Sequence, residues 1–529
     1  MPEQTTKPNV VLILNDDMGY SDLGCFGGEI DTPHLDRLAA GGIRLTQFYN
    51  TARCCPSRAS LLTGLHPHQS GVGLMLENLN EDAYAGSLND RCVTIAEVLK
   101  ESGYRTYMSG KWHLSASKSA PAPSWPAQRG FDEFYGTIAG ACSYFQPTTL
   151  CRNNDNIEDE VAGDAGYYYT DAISEQAVRF LDRHHAEAPE QPFFLYAAYT
   201  APHWPLHAPE ATIRKYEGRF DAGWDRLRSE RLERMKALGI VREDLQLSPR
   251  DEEAPAWDEA SEREWELRAM EVYAAQIDRM DQGIGTIVDA LERSGRLDNT
   301  LLIFLADNGG CAEQLGLDSE RWLLDSLIAA SHDREGGRVV FGNDKRLLPG
   351  GESTYQSYGL PWANLSNTPF RLYKHWIHEG GISTPLILHW PERVADPGGL
   401  RHSPGQLTDI MATIAEAAGA AYPDLYRGRS IPPMEGVSLL RLLDGEADRN
   451  APMFWEHEGN AAVRIGSWKL VRRHPGPWEL YDLASDRAEL RDLSAAYPER
   501  AAQMAARYES WADRCGVKPR EEILRLLKR

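Results

Sequence analysis

The sequence has little of several things, and each shortage excludes a class of protein. Only eight of the 529 residues are cysteines, and none of them forms a C-x-x-C pair. That spacing argues against a zinc ribbon or a small disulfide-bonded scaffold, so we expect mostly reduced, buried thiols. No apolar run approaches the roughly 18 residues that cross a membrane. Internal repeats and low-complexity tracts are also missing from the sequence.

Basic residues are scarce relative to acidic ones. The 56 Lys and Arg against 78 Asp and Glu give a net charge of −22. Such a surplus repels phosphate backbones and anionic lipids, so neither nucleic acid nor a membrane is predicted as a partner. The apolar stretch at residues 10–14 is too short for the core of a signal peptide and has no small-residue cleavage site, which predicts a cytoplasmic protein. No feature predicts an oligomeric state.

Short β-branched and aromatic runs alternate with longer helical patterns through most of the chain. This alternation predicts an α/β fold with a large mixed, mostly parallel sheet flanked by helices. The strands are predicted at 9–14, 105–108, 193–199, 300–305 and 385–389. The pattern changes after Gly398, and we expect a larger α/β domain over 1–425 and a smaller α+β domain over 426–529. Two polar regions, 217–264 and 313–364, are predicted as long surface loops that shape a pocket.

The segment Cys54-Cys55-Pro56-Ser57-Arg58 places two thiols where a helix is predicted to begin. Pro56 suits the first helical position and Gly64 suits the end of the helix. Backbone N–H groups at such an N-terminus favour anions and thiolates. The segment therefore indicates anion chemistry, although by itself it could equally be two thiols at an ordinary helix start.

Polar residues directly follow four of the predicted strands. In an open α/β sheet the ligands bind at the carboxyl ends of the strands, so these residues are expected to converge at one edge. In chain order they are Asp16 and Asp17, Lys111 and His113, His203, and Asp307 and Asn308.

Four of these residues offer only hard oxygen donors, which suit Ca²⁺ or Mg²⁺ better than Zn²⁺. They are Asp16, Asp17, Asp307 and Asn308. The alternative is that Asp-Asp and Asp-Asn-Gly are ordinary turn residues that close strands. Because both pairs follow buried apolar strands, we favour a metal site.

The motifs and their order along the chain resemble those of the type I sulfatases of the alkaline phosphatase superfamily, and the likeness is strongest to cytosolic bacterial arylsulfatases. The resemblance extends over nearly the whole chain. It comprises Asp-Asp after the first strand, C-x-P-x-R with Leu-Thr-Gly, Gly-Lys-Trp-His, Pro-His, Asp-Asn-Gly, and Lys374 ahead of a Glu-Gly-Gly-x-x-x-Pro segment.

The resemblance implies that the larger domain, 1–425, is catalytic and that Cys54 is oxidised to formylglycine by a formylglycine-generating enzyme. The hydrated aldehyde would attack the sulfur of a sulfate monoester, either a small aryl sulfate or a glycan sulfate. Residue 54 would also join the ligands of one divalent cation, Ca²⁺ or possibly Mg²⁺, completing the set Asp16, Asp17, Cys54, Asp307 and Asn308.

The resemblance also implies roles for the remaining site residues. Lys111, His203 and Lys374 would bind the substrate. His203, helped by Lys374, would protonate the leaving oxygen. Arg58 would orient the nucleophile, and His113 would act as a base in the release of sulfate.

Two alternatives to a sulfatase stay open. A phosphonate monoester or phosphate diester hydrolase of the same superfamily has a similar sequence pattern. A non-catalytic anion-binding protein would result if Cys54 remained unmodified. An alkaline phosphatase or phosphomutase is disfavoured because it needs a Ser or Thr nucleophile and a second, His-rich metal set.

Overall fold

The computed structural model describes residues 7–447, 449 and 451–528. Residues 1–6 lie outside the described residues. The strands are β1 (Asn9–Asn15), β2 (Ile43–Tyr49), β3 (Arg105–Gly110), β4 (Glu133–Thr137), β5 (Leu150–Arg152), β6 (Asp155–Asn156), β7 (Phe193–Ala198), β8 (Thr300–Ala306), β9 (Val340–Phe341), β10 (Thr354–Tyr355), β11 (Ser383–His389), β12 (Gly399–Arg401), β13 (Gly405–Gln406), β14 (Leu425–Tyr426), β15 (Arg429–Ser430), β16 (Met453–His457), β17 (Asn460–Ile465), β18 (Trp468–Arg472) and β19 (Trp478–Asp482). The α-helices are α1 (Pro33–Gly41), α2 (Cys54–Thr63), α3 (Ile95–Glu101), α4 (Glu158–Val161), α5 (Tyr169–Glu187), α6 (Glu210–Ile213), α7 (Gly223–Ala237), α8 (Arg263–Arg293), α9 (Glu320–Asp325), α10 (Gly359–Ser366), α11 (Glu379–Ile382), α12 (Thr408–Ala418), α13 (Pro498–Cys515) and α14 (Arg520–Leu526).

Eleven strands form one central sheet in the order β12-β2-β11-β8-β1-β7-β3-β4-β5-β6, with β13 also paired to β2. β1 runs parallel to both β7 and β8, and β3 runs parallel to β7 and β4. β11 is antiparallel to its neighbours β2 and β8. The prediction of a mixed, mostly parallel sheet flanked by helices is confirmed.

Both faces of this sheet are buried. Along β1, Val11 and Ile13 enter one core while Val10, Leu12 and Leu14 enter the other. Helices α1, α5 and α8 cover the first face, and α2, α3 and α12 cover the second. Strands that are buried on both faces read as continuous apolar runs, which is why β1, β7 and β8 were visible in the sequence.

A four-stranded antiparallel sheet, β16 to β19, forms the smaller C-terminal part. One of its faces packs on α13, where Trp511 meets Val463. The other face packs on Tyr49 and Ile377 of the large sheet region. The C-terminal α+β architecture is thus present, while the boundary between 425 and 426 stays a prediction.

Two local expectations were wrong. Helix α2 begins at Cys54 with Arg53 as its N-cap, so Pro56 is its third residue rather than its first. The regions 217–264 and 313–364 are not simply surface loops. The second contains α9 and most of α10, in which Trp362 is buried. The first contains helix α7, which buries Arg231, and Arg231 pairs with Asp22 at 2.8 Å; the polar side chain concealed the buried face from sequence inspection.

The state of the cysteines and the polarity of the helices match the expectations from the sequence. All eight cysteines are unpaired, and every one except the half-buried Cys25 is buried. Within the residues that the structure describes, every helix is too short or too polar to cross a bilayer.

Candidate active site

The sequence-predicted site residues meet at the carboxyl edge of four adjacent strands, β8, β1, β7 and β3. Helix α2 brings Cys54 and Arg58 to the same place, and the loop before α11 brings Lys374. None of the residues is more than 7% exposed. The set is Asp16, Asp17, Cys54, Arg58, Lys111, His113, His203, Asp307, Asn308 and Lys374.

Fixed cations and carboxylates interlock at the base of the site. The Arg58 Nη2 atom lies 2.9 Å from Asp307 Oδ2 and 3.3 Å from Asp16 Oδ2. Lys111 Nζ donates to Asp16 Oδ2, and Lys374 Nζ donates to Asp17 Oδ2 at 2.9 Å. Three carboxylates therefore face three cations, and a divalent ion would make the site positive by two charges.

The donor set fits a hard divalent cation. The Oδ1 atoms of Asp16 and Asn308 are buried and have no hydrogen-bond partner among the residues that the structure describes, while Asn308 Nδ2 donates to Asp17 Oδ1 at 2.6 Å. Burial and the neighbouring Asp16 carboxylate raise the pKa of Asp307 well above its usual value. A buried oxygen without a partner costs free energy, and an ion such as Ca²⁺ or Mg²⁺ would satisfy these oxygens and relieve the repulsion.

Cys54 lies in surroundings that favour its thiolate. Hydrogen bonds from Cys55 and His113, together with the positive charge of Lys111, lower the pKa of Cys54 well below its usual value in spite of burial. The cysteine also occupies the first position of α2, where unpaired N–H groups stabilise negative charge.

The ring of His203 is oriented by a backbone carbonyl. Its Nδ1 donates to the carbonyl oxygen of Trp204 at 2.6 Å, which leaves Nε2 facing Lys374 Nζ at 3.3 Å and Asp17 Oδ2 at 3.4 Å. Burial lowers the pKa of His203. The neutral ring therefore accepts a hydrogen bond from Lys374 at the atom that faces the site.

His113 packs against Gly140, a residue that the sequence patterns did not identify. A Cβ atom at position 140 would lie 2.2 Å from His113 Nε2. The backbone of His113 is left-handed, with φ at 57°, and burial lowers the pKa of its ring to about 4. The absence of a side chain at Gly140 therefore leaves room for the His113 imidazole.

Sequence analysis also missed the ion pair between Arg53 and Glu313. Arg53 Nη1 lies 2.6 Å from Glu313 Oε1, and Trp204 Nε1 donates to Glu313 Oε2 at 3.1 Å. Although burial opposes it, the charges of Arg53 and Lys374 lower the pKa of Glu313. Because Glu313 opens a region predicted as a loop, no periodicity or motif could have revealed this contact.

A pocket of about 130 Å³ leads to these residues from solvent. It is lined by Cys54, His113, His203 and Lys374 together with further polar and apolar side chains. The further polar ones are Arg53, Glu77, Lys118, Glu313 and Ser326, and the larger apolar ones are Met75, Leu76, Trp204, Trp322 and Ile328.

Comparison with known proteins places this site in a class. A sulfatase family model matches residues 8–420, and a model for the C-terminal region of N-sulphoglucosamine sulphohydrolase matches residues 370–510. With the fold and the site, these matches define a sulfuric ester hydrolase. The chain belongs to the sulfatase family, as the resemblance implied.

Individual relatives agree with this assignment. An uncharacterized sulfatase of Schizosaccharomyces pombe is 33% identical, over 94% of this chain and 92% of the relative. An arylsulfatase of Klebsiella aerogenes is also 33% identical, over 82% of this chain and 92% of the relative. Among solved structures, Ps i-CgsB in complex with a neocarrahexaose superimposes with a TM-score of 0.67 at 25% identity, over 96% of this chain and 93% of that one.

Proposed function

We propose that this enzyme hydrolyses sulfate monoesters through a formylglycine made from Cys54, with one Ca²⁺ or Mg²⁺ held by the hard oxygen donors. The observation that carries the proposal is the position of Cys54. It lies at the N-terminus of α2 within a site whose three fixed cations balance three carboxylates. An anionic ester would enter a locally positive pocket although the whole chain carries −22.

The hydrated aldehyde would offer an attacking oxygen, and the divalent cation would polarise the sulfate. The chain supplies the remainder. Lys111 and Lys374 are positioned to bind the peripheral sulfate oxygens, and Arg58 holds two of the metal-binding carboxylates in place. The neutral imidazole of His113 is suited to accept a proton beside residue 54.

His203 serves the leaving group. Its Nε2 faces the site and accepts a hydrogen bond from the Lys374 ammonium group. The negative charge of a bound sulfate ester would raise the pKa of the imidazole, because an adjacent opposite charge favours the protonated form. His203 would then donate a proton to the departing oxygen, while Lys374 stabilises the developing charge.

The pocket wall favours an aryl sulfate over a sugar sulfate. Trp204 and Trp322 approach with ring centroids 6.3 Å apart, and Ile328 and Leu76 extend the apolar lining. Aromatic surfaces of this kind bind flat apolar rings. The side chain of Trp322 is 55% exposed without a ligand, so it offers surface that a substrate ring would cover.

The central test is the chemical state of residue 54 in active protein. Mass spectrometry of the peptide containing Cys54 is expected to show an aldehyde, and turnover of an aryl sulfate should scale with the aldehyde fraction. Active protein with an intact thiol at this position would refute the proposal. A higher kcat/KM for an aryl phosphonate than for the matching aryl sulfate would identify the phosphonate hydrolase instead. Anion binding without turnover by protein that keeps an intact thiol at position 54 would indicate an anion-binding protein.

The aryl preference has its own test. Trp322→Ala should raise KM for a nitrophenyl sulfate and leave KM for a sugar sulfate nearly unchanged, because only the planar ring uses the tryptophan. A loss of about 0.5–1.5 kcal/mol corresponds to roughly 2- to 13-fold in KM. The control is Leu317→Ala, since Leu317 lies in the same region and is 67% exposed but does not line the pocket. Equal effects on both substrates would contradict the preference.

A further inference from the structure

Three sulfur atoms and one imidazole nitrogen cluster at Cys54, Cys55, Met75 and His113, and the proposed reaction does not need all of them. The Cys55 Sγ atom lies 3.4 Å from His113 Nε2 and 3.5 Å from the Met75 thioether sulfur. Ligand atoms of Cys54, Cys55 and His113 all lie within 4.8 Å of one another. Neither Cys55 nor Met75 has a role in sulfate ester hydrolysis as derived above.

The donors differ in kind from the oxygen set of the hard cation. Two thiols, a thioether and an imidazole are the ligands that soft ions such as Cu(I) prefer. Cys54, Cys55 and His113 are 2%, 0% and 7% exposed, so water competes weakly for the site. Cys54, Met75 and His113 also line the pocket, which gives an ion a route from solvent.

The sulfur-rich donor set favours a monovalent soft ion over Zn²⁺. Met75 adds a thioether beside the Cys55 thiol, and sulfur-rich sets with Met select Cu(I).

We propose that the chain, before Cys54 is converted, binds one Cu(I) ion through Cys54, Cys55 and His113, with Met75 as a weaker fourth ligand. Conversion of Cys54 replaces a thiol by an aldehyde, so the converted protein lacks one of the three principal ligands. No electron transfer takes place, since the ion enters and leaves as Cu(I) while thiol protons exchange with solvent.

The test uses the full chain produced without a converting enzyme, with the thiol at position 54 verified by mass. Under anaerobic conditions and in excess Ca²⁺, Cu(I) is titrated against a chromophoric Cu(I) chelator. We expect one equivalent to bind and an ultraviolet thiolate-to-copper absorption to appear. Cys55→Ser should weaken binding at least about 100-fold and Met75→Leu roughly tenfold.

Matched controls separate this site from general thiol chemistry. Cys25→Ser removes a half-buried thiol elsewhere and should leave binding unchanged, while fully converted protein should bind at least about 100-fold more weakly. The melting temperature of each variant shows whether it has folded. If Cys55→Ser does not fold, Cys54→Ser and the conservative Met75→Leu decide the question.

Several outcomes would overturn the proposal. These are an affinity unaffected by Cys55→Ser or Cys54→Ser, an equal loss in Cys25→Ser, or Zn²⁺ displacing Cu(I) at equal concentration. Because the experiment measures metal binding to unconverted protein, its failure would leave the proposed sulfatase reaction untouched, and a failure of that reaction would not explain copper binding.

Discussion

At the scale of single residues, the pair of His203 and Lys374 decides how a leaving group departs. The carbonyl oxygen of Trp204 fixes one ring nitrogen of His203, and Lys374 contacts the other. Lys374 is itself held by Asp17. One imidazole nitrogen is therefore available for chemistry, and its protonation depends on the charge of the bound ester.

Replacing His203 should reveal this role through the leaving group. His203→Ala is expected to lower kcat/KM severely for an alkyl or sugar sulfate, by roughly 10²- to 10⁴-fold, and only mildly for a nitrophenyl sulfate. The reason is that a nitrophenolate leaves without help from an acid. Rates measured across sulfates of graded leaving-group basicity check this expectation.

The control for this series is His185→Ala, because His185 is exposed on α5. Its rates should match those of the unchanged enzyme for every ester. If His203→Ala lost the same factor for weakly and strongly basic leaving groups, the assignment of His203 as the general acid would be wrong.

At the scale of elements, a glycine after β4 determines where the residue after β3 can lie. Gly140 brings its backbone against the His113 ring, and a side chain there would overlap the ring at 2.2 Å. The neighbouring segments are paired, since the His113 N–H donates to the Ile138 carbonyl at 3.2 Å. The loops that follow β3 and β4 therefore pack together, and this packing sets the position of the His113 imidazole.

Gly140→Ala should accordingly act on activity more than on folding. We expect kcat to fall by at least about tenfold, since displaced catalytic groups lose rate steeply, while the melting temperature changes little because the ring can shift into the pocket. Gly351→Ala is the matched control, since a Cβ there meets no atom within 4 Å. A normal kcat for Gly140→Ala would show that the position of His113 does not depend on this contact.

The central strands and the residues that follow them could be predicted because each strand is an apolar run buried on both faces, with polar residues after its carboxyl end. β2 was not predicted, since Arg44 and Gln47 interrupt its apolar pattern. Glu313 and Gly140 matter only through partners distant in sequence, and such contacts leave no periodicity in one chain. The roles proposed for individual site residues rest on resemblance and geometry, and substitution of these residues tests them.

At the scale of the whole molecule, a buried ion network joins the C-terminal sheet to the large sheet beside the site. Lys469 Nζ of β18 lies 3.0 Å from Glu379 Oε1 and 2.8 Å from Glu489 Oε1, and all three side chains are fully buried. Tyr49 of β2 donates to Glu379 Oε2 at 3.0 Å. Since Glu379 begins α11, just ahead of β11, the smaller sheet supports the loop that carries Lys374.

Removing the proposed divalent ion should affect the whole molecule as well as turnover. The side chains of Asp16, Asp17, Asp307 and Asn308 would lose their common partner. Activity and melting temperature are therefore expected to fall together on chelation and to recover together on adding Ca²⁺ or Mg²⁺. Asp16→Asn should reduce the response of the melting temperature to Ca²⁺. Full activity after exhaustive chelation, with no divalent ion detected by elemental analysis, would contradict the metal site.

Breaking the network at Lys469 should destabilise the protein in a way that depends on pH. Burial raises the pKa of Glu379, but the charges of Lys469 and Arg487 outweigh it and lower the pKa below its usual value. The network therefore contributes stability above about pH 4.5, the ordinary Glu value, and loses it as the pH falls through the lowered pKa. Lys469→Met leaves Glu379 charged and poorly compensated, with an expected cost of about 3–5 kcal/mol at pH 7.

Urea unfolding at a series of pH values tests this sign. The deficit of Lys469→Met should be largest near pH 7 and should shrink as the pH falls through the lowered pKa of Glu379, because the carboxyl group then becomes neutral. The control is Arg152→Met, which removes an exposed pair with Glu160 and should change the stability little at neutral pH. A deficit of the same size at every pH would mean that Lys469 stabilises the junction by packing alone, and that the charge of Glu379 does not hold the two sheets together.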